Sequence, residues 1–281
     1  MIYYKKHAIG GMTTLGIDGI ASEFFEPETR EELIDLLLDF RVKNRSYRLL
    51  GNGSNIFLSK TVIKTPVIYL NTALSAFRIN QSGVVRADAG VDIRKLINAC
   101  AREGLRAPVE LLTVPATVGG ALFMNAGRTS FEKTISQDLV SVDVFDGTNV
   151  VTMKPEECNF GHRSSLFHNR RNLTILGATF RFENSPAADL LRDRKRSLAA
   201  GFDKCYRNQK SAGSVFKSCD WQLMTRLRGV RFRRAGFAPS TTNCILNYGG
   251  AKPFHVKVLI TVAQIAHLMR GKKAVLEVEV W

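Results

Sequence analysis

Three short stretches hold the residues best suited to chemistry. Gly51-Asn52-Gly53-Ser54-Asn55 is a glycine-rich turn. Glycines let a backbone turn sharply and approach a ligand, and successive N–H groups in such a turn form an anion nest that suits a pyrophosphate. The third glycine of the dinucleotide fingerprint is missing, which argues against a Rossmann site. Pro115-Ala116-Thr117-Val118-Gly119-Gly120-Ala121, followed by Met124-Asn125-Ala126-Gly127, sets small residues in an apolar context. A flat or extended cofactor can lie against such a main chain and meet the Thr117 hydroxyl and the Asn125 amide. Ser211-Ala212-Gly213-Ser214 presents a serine at a tight turn. No G-x-S-x-G elbow surrounds Ser214, so a hydrolase nucleophile is disfavoured; a held and polarised serine hydroxyl can still deliver a proton. Each stretch has a plainer reading beside it: a hairpin turn, a tightly packed buried turn and a turn serine. Arg163 reads equally as a surface arginine, and Glu277 and Glu279 as the solvent side of a strand.

Recognisable elements lie around these stretches. Thr29-Arg30-Glu31-Glu32 resembles a capping box, and Leu33, Leu37 and Phe40 follow at helical spacing, which predicts a helix to about Lys43. Strands are expected at Ser46 to Leu50 and Ile56 to Leu58, on either side of the first glycine turn, and again at Val67 to Leu70 and Val84 to Ala87. Asp92 to Glu103 reads as a helix stopped by Gly104. Leu139 to Phe145 and Val150 to Met153 read as strands around the Asp146-Gly147 turn, and Leu173 to Glu183 as a further strand. Asn184-Ser185-Pro186 is the linker candidate, followed by a basic helix from about Ala187 to Arg207. Pro253 opens an apolar helix that ends near Gly271, and Leu276 to Val280 is one closing strand.

A chain of 281 residues suits two or three subdomains rather than one core. No apolar run is long enough to span a membrane, and no apolar segment follows Lys5 and Lys6 to make a secretory signal. Cys100, Cys158, Cys205, Cys219 and Cys244 are scattered and odd in number, which points to free thiols in a reducing compartment and no zinc site. The net charge is +15, and residues 163–234 hold 17 Lys/Arg against 5 Asp/Glu, a surplus of 12. Such a surface attracts anions: nucleic acid, lipid headgroups or a phosphorylated small molecule. Aromatic interleaving and a nucleic-acid module are both missing, which disfavours the first.

The order and spacing of the motifs resemble the UDP-N-acetylenolpyruvoylglucosamine reductase family. The resemblance begins with Leu50-Gly51-x-Gly53-Ser54-Asn55, the Val114 to Gly127 segment and Phe160-x-x-Arg163-x-Ser165-x-Phe167. It continues through Ser211-Ala212-Gly213-Ser214-x-Phe216-Lys217, Asn243-x-Ile245-x-Asn247-x-Gly249-x-Ala251 and Leu276-Glu277-x-Glu279-Val280, nearly the whole chain in the family's order. Thr13 to Ile17 looks like the family's N-terminal strand. The family implies an α+β architecture: a two-lobed FAD-binding fold of the vanillyl-alcohol-oxidase type with a C-terminal α/β substrate domain, here of the compact type. The implied boundaries are 1–58 and 59–185 for the FAD-binding lobes, 186–271 for the substrate domain and 272–281 for the closing strand.

By position, Gly51, Asn52, Gly53, Ser54 and Asn55 would hold a non-covalent FAD. Pro115, Thr117, Gly119, Gly120, Asn125, Ala126 and Gly127 would complete that cofactor site. Arg163 would polarise the enolpyruvyl group, Ser214 would donate the proton and Glu279 would complete the catalytic set, with Lys217 and Asn243 binding substrate. The resemblance also implies NADPH as reductant and a UDP-linked sugar as partner. A cytoplasmic monomer is expected, with no nucleic-acid or membrane partner and no metal. The chain departs from the family pattern at Ala116, His162, Ser218, Cys219, Thr241, Thr242 and Phe254, several of them on the substrate side. Two alternatives stand beside the main reading: a paralogous flavin reductase acting on another nucleotide-linked sugar, and a non-catalytic flavin- or nucleotide-binding protein.

Overall fold

The computed structural model describes residues 1–128, 133–202 and 209–281. The chain divides into two compact units. Unit 1 comprises residues 1–3, 25–52 and 67–203; unit 2 comprises residues 4–24, 53–66 and 204–281.

Among its described residues, unit 1 carries five α-helices. In α1 (Arg30–Val42), Thr29 caps the first turn by accepting from the Glu32 amide, and Leu33, Leu36, Leu37 and Phe40 form the buried face. Each such side chain stabilises the unit by about 1.5–3 kcal/mol relative to exposure. In α2 (Ile93–Arg102), Asp92 accepts from the amides of Arg94 and Lys95, and Gly104 takes φ +70° just past the end, where a side chain would be strained. The glycine-rich middle is not a bare turn: it contains α3 (Val118–Phe123), capped by the Thr117 hydroxyl. Two further helices, α4 (Leu166–Asn169) and α5 (Ala187–Phe202), follow. The expected continuation of α5 over 203–207 lies outside the described residues, as does Cys205.

An antiparallel sheet runs in the order Val150–Met153, Leu139–Phe145, Thr174–Arg181, Val84–Asp88 and Phe77–Ile79. Its inner face and helices α1, α2 and α3 share one core, from Leu33 through Ile97, Leu122 and Val144 to Phe180. A second pairing in unit 1 sets Arg48–Leu50 parallel to Val67–Tyr69.

Unit 2 is built on a four-stranded antiparallel sheet: Lys210–Ser214, Cys244–Asn247, Ala235–Phe237 and Arg231–Phe232. Helices α6 (Trp221–Arg226) and α7 (Pro253–Leu268) pack in the same unit, and Val256, Leu259, Ile260 and Ala263 of α7 enter a core with Phe216, Phe237 and Ile245. The two helices are tied by His267, whose Nε2 accepts from the Asp220 amide at 2.8 Å. Its Nδ1 therefore carries the proton and donates to the Ala263 carbonyl at 2.7 Å. Asp220 in turn caps α6 at the Leu223 amide and pairs with Lys272, which holds its carboxyl down at about 2.

One plainer reading and two sequence expectations are corrected. The strands before and after the first glycine turn do not form a hairpin: Arg48–Leu50 pairs with Val67–Tyr69, whereas Ile56–Phe57 pairs in parallel with Glu279–Val280. The closing strand is two strands in two sheets, Val275–Leu276 against Phe216–Ser218 and Glu279–Val280 against Ile56–Phe57. The break falls where the Glu277 and Val278 amides both turn to the Val215 carbonyl. Thr13 to Ile17 is not a strand: the Thr13 carbonyl accepts from Gly16, which sits at φ +59°, and this closes a turn instead. Among the described residues no helix is long and apolar enough to cross a membrane.

Candidate cofactor and active site

In unit 1 the first two glycine-rich stretches meet. A Cβ on Gly51 would stand 2.7 Å from the Thr117 Oγ1, so only glycine lets the first turn press against the cap of α3. Asp92 fastens the junction. It accepts from the Asn52 side chain at 3.2 Å while capping α2, and it bridges to Thr117 through the main chain. Burial alone would raise its carboxyl, but the Arg94 guanidinium and amide outweigh that and hold it below the usual range. Asn71 grips the other side of Asn52, donating to its Oδ1 at 2.8 Å. Neither Asp92 nor Asn71 stood out in the sequence as a site residue. Asp92 was visible only as a helix start, and nothing marked Asn71.

The amides of the two stretches have different fates. Those of α3 are engaged: Val118 donates to Val91, Gly119 to Ala89 and Gly120 to the Thr117 hydroxyl. Those of Asn52, Gly53 and Ser54 donate to no described residue. Gly53 holds φ +58°, and a Cβ there would lie 2.3 Å from the Met12 carbonyl oxygen, so the turn is shaped by glycine and closed to side chains.

Farther along unit 1, Asn125 at φ +42° donates to the Gly161 carbonyl at 3.0 Å, and Arg163 at φ +49° donates to the Gly127 carbonyl at 2.8 Å. These two bonds lace the 125–127 and 161–163 loops together. The Oδ1 of Asn125 is buried without a partner. A buried acceptor without a donor is costly. Within unit 1, the Asn52 amide and the Asn125 acceptor are of the kinds a flavin dinucleotide takes: a donor for a pyrophosphate, an acceptor for a ring N–H. Gly119 serves packing, since a Cβ there would meet Ala89 at 2.8 Å, while Gly120 is exposed. Pro115 is half-buried, and Ala126 is buried with its amide on Ala121.

In unit 2 the remaining site residues form one hydrogen-bonded chain. The Asn55 side chain donates to the Glu277 carbonyl at 2.9 Å, and its own carbonyl accepts from the Glu279 amide at 2.8 Å. Glu277 donates to the Val215 carbonyl, and Val215 donates to the Asn243 carbonyl. Asn243, at φ +63° and 6% exposed, brackets the next residue: its Oδ1 accepts from the Phe216 amide at 2.9 Å and its Nδ2 donates to the Phe216 carbonyl at 2.7 Å. Ser214, Glu279, Asn55 and Asn243 are thus placed together by main-chain bonds. Ser214 ends a strand whose register slips between Ser211 and Ser214, where Gly213 takes φ +78°. Such a bulge redirects the side chain that follows it. The Ser214 side chain is exposed, with no hydrogen bond to another described residue. Glu279 and Lys217 are half-buried.

Asn247 is a bracket that sequence reasoning recorded only as part of a motif. Its Nδ2 donates to the carbonyls of Leu15 and Gly16, and its Oδ1 accepts from the amides of Gly249 and Ala251.

Residues 21–152 match a family described as an FAD binding domain. UDP-N-acetylenolpyruvoylglucosamine reductase of Thermus thermophilus is 34% identical over 261 residues, 90% of this chain and 91% of that protein. The protein of the same name from Prochlorococcus marinus is 29% identical over 287 residues, 99% of this chain and 96% of that one. The crystal structure of UDP-N-acetylenolpyruvylglucosamine reductase from Thermus caldophilus superposes with a TM-score of 0.80 at 30% identity, covering 100% of this chain and 98% of its own.

Proposed function

The chain belongs to the UDP-N-acetylenolpyruvoylglucosamine reductase family, and from that premise we propose how its residues carry out the family's reaction. The protein is an FAD-dependent oxidoreductase of peptidoglycan precursor synthesis. With NADPH as reductant it reduces the enolpyruvyl ether of UDP-N-acetylglucosamine to UDP-N-acetylmuramate. The observation that carries this reading is the likeness to relatives along the whole chain, both units included.

The reaction adds hydride to the β-carbon of the enol ether and a proton to its α-carbon. FAD, when bound and reduced by NADPH, would supply the hydride. The amides of Asn52, Gly53 and Ser54 would hold the pyrophosphate of the cofactor, and Asn125 Oδ1 would offer an acceptor to it; no His or Cys stands in either loop as a covalent tether. Arg163 faces the carboxylate conjugated to the double bond and stabilises the charge that develops there. Ser214 delivers the proton to the α-carbon. Glu279, fixed through its amide to Asn55, completes the set. Lys217 contacts the anionic substrate, and Asn243 acts on it through Ser214 to Phe216, whose path it sets. The work is that of a monomer in the cytoplasm, a setting supported by free thiols at Cys100, Cys158, Cys219 and Cys244.

A visible spectrum of the purified protein, followed by anaerobic NADPH and then the enolpyruvyl sugar, tests the reading in steps. A yellow protein bleached by NADPH and recoloured by that sugar is expected. Protein that stays colourless and takes up no FAD overturns the cofactor assignment. Protein that bleaches and is recoloured only by a different nucleotide-linked sugar overturns the substrate.

A further inference from the structure

Helix α7 is apolar on both sides. Its inner face is in the core of unit 2, yet its outer face, which a soluble helix ordinarily fills with polar residues, carries Phe254, Val258, Val262, Ile265 and Met269. Their spacings of four, four, three and four residues draw one stripe along a helix about 24 Å long. Four of the five are exposed, Met269 by 83% and Phe254 by 61%. Leu268 adds 69% beside Met269, and Trp221, 61% exposed, follows the Asp220 that is bonded to His267 on α7.

Apart from Asp220, which Lys272 neutralises, the charges around this stripe have one sign. From Trp221 to Leu276 there are ten Lys/Arg and not one Asp or Glu. Lys257 sits on the helix, and Arg270, Lys272 and Lys273 follow its last turn. Lys272 pairs with Asp220; Lys257, Arg270 and Lys273 are exposed.

We propose that the outer face of α7, together with Trp221, is a docking surface for a membrane rich in anionic lipid, with the helix lying along the headgroups. Sequence reasoning set a membrane partner aside because no run was long enough to span one. That argument does not reach a helix that lies in the interface. A second copy of the chain is a poor occupant, because two such faces would bring Lys257, Arg270 and Lys273 together with only Asp220, already paired with Lys272, beside them. A nucleic-acid backbone would meet the cations but leave the apolar stripe in water. An anionic bilayer satisfies both: acyl chains for Ile265, Leu268 and Met269, headgroup charge for Lys257, Arg270 and Lys273, and the interface that tryptophan favours.

The test is flotation of the flavin-loaded protein with vesicles of phosphatidylcholine alone, or of phosphatidylcholine with phosphatidylglycerol. Retention on the anionic vesicles only, weakening as salt rises, is expected. Arg270→Glu and Lys273→Glu should each weaken it at least roughly five-fold, the effect of removing one cation near such a surface. Met269→Glu or Ile265→Glu should weaken it by roughly ten-fold or more. All four variants should keep wild-type turnover in solution, which shows that they fold. The proposal fails if the anionic vesicles retain nothing at low salt, if phosphatidylcholine alone retains as much, or if Met269→Glu binds like wild type. It fails equally if the wild type sediments as a dimer that Met269→Glu splits while vesicles bind nothing.

Discussion

At Ser214 the structure offers an exposed hydroxyl on a redirected strand end, with no described residue hydrogen-bonded to it. Ser214→Ala should leave flavin binding and reduction by NADPH nearly intact. Reoxidation by the enolpyruvyl sugar should slow by roughly the hundred- to ten-thousand-fold of a lost general acid. Stopped-flow absorbance separates the two steps, and wild-type reoxidation in the variant would reduce Ser214 to a turn residue. Arg163→Ala should slow the same step alone. A different residue contributes to the pH dependence of stability. Glu110 is 2% exposed, its Oε1 has no hydrogen-bond partner, and burial pushes its carboxyl above the ordinary value. The folded state therefore keeps a proton that the unfolded chain gives up. Its stabilising contribution is full below the ordinary carboxylate range and falls as pH rises through the raised value. Thermal melts from pH 4 to 8 should show this loss in the wild type, and Glu110→Gln should flatten it; an equally steep loss in the variant would assign the slope to other groups. At this scale the sequence exposed the glycines and Ser214, because turns announce themselves locally. Asp92 and Asn71 stayed hidden: they matter through the Asn52 side chain, 40 and 19 residues away in the chain.

Among the elements, α7 is fixed by a histidine at its last turn. His267→Ala removes the acceptor of the Asp220 amide, and a buried donor left without a partner costs about 1–3 kcal/mol. A melting temperature lowered by several degrees is expected, with flavin still bound; an unchanged melt would mean that water replaces the imidazole. Helices α1, α2 and α7 were legible because they carry their own signals: the Thr29 and Asp92 caps, the apolar spacing in α1, and Pro253 at the first position of α7; the short α4 and α6 carried none that were read. The closing segment was not legible as two strands. Its alternation of Leu276, Val278 and Val280 suits one strand, and the break is imposed from outside by the Val215 carbonyl. The glycine-rich middle hid α3 for the opposite reason, since Gly119 and Gly120 weaken the helical signal that the Thr117 cap restores.

Across the molecule, the positive charge has two destinations. Residues 163–234 carry the surplus assigned to the substrate, so binding of a UDP-sugar should weaken as ionic strength rises, which titration calorimetry at two salt concentrations can read. Salt-independent affinity would place the diphosphate elsewhere. The path of the chain has a further consequence. Unit 2 recruits residues 4–24 and 53–66 to a body made mostly of 204–281. During synthesis the early pieces leave the ribosome well before their partners exist, on the order of ten seconds or more at ~5–20 residues per second. Gly53 and Ser54 belong to those waiting pieces, so two of the three amides proposed to hold a pyrophosphate lack their partners of 204–281 until late in synthesis. Flavin capture is therefore a late event of biogenesis. Chains stalled on the ribosome near residue 203 should retain no FAD, and released full-length chains should take it up.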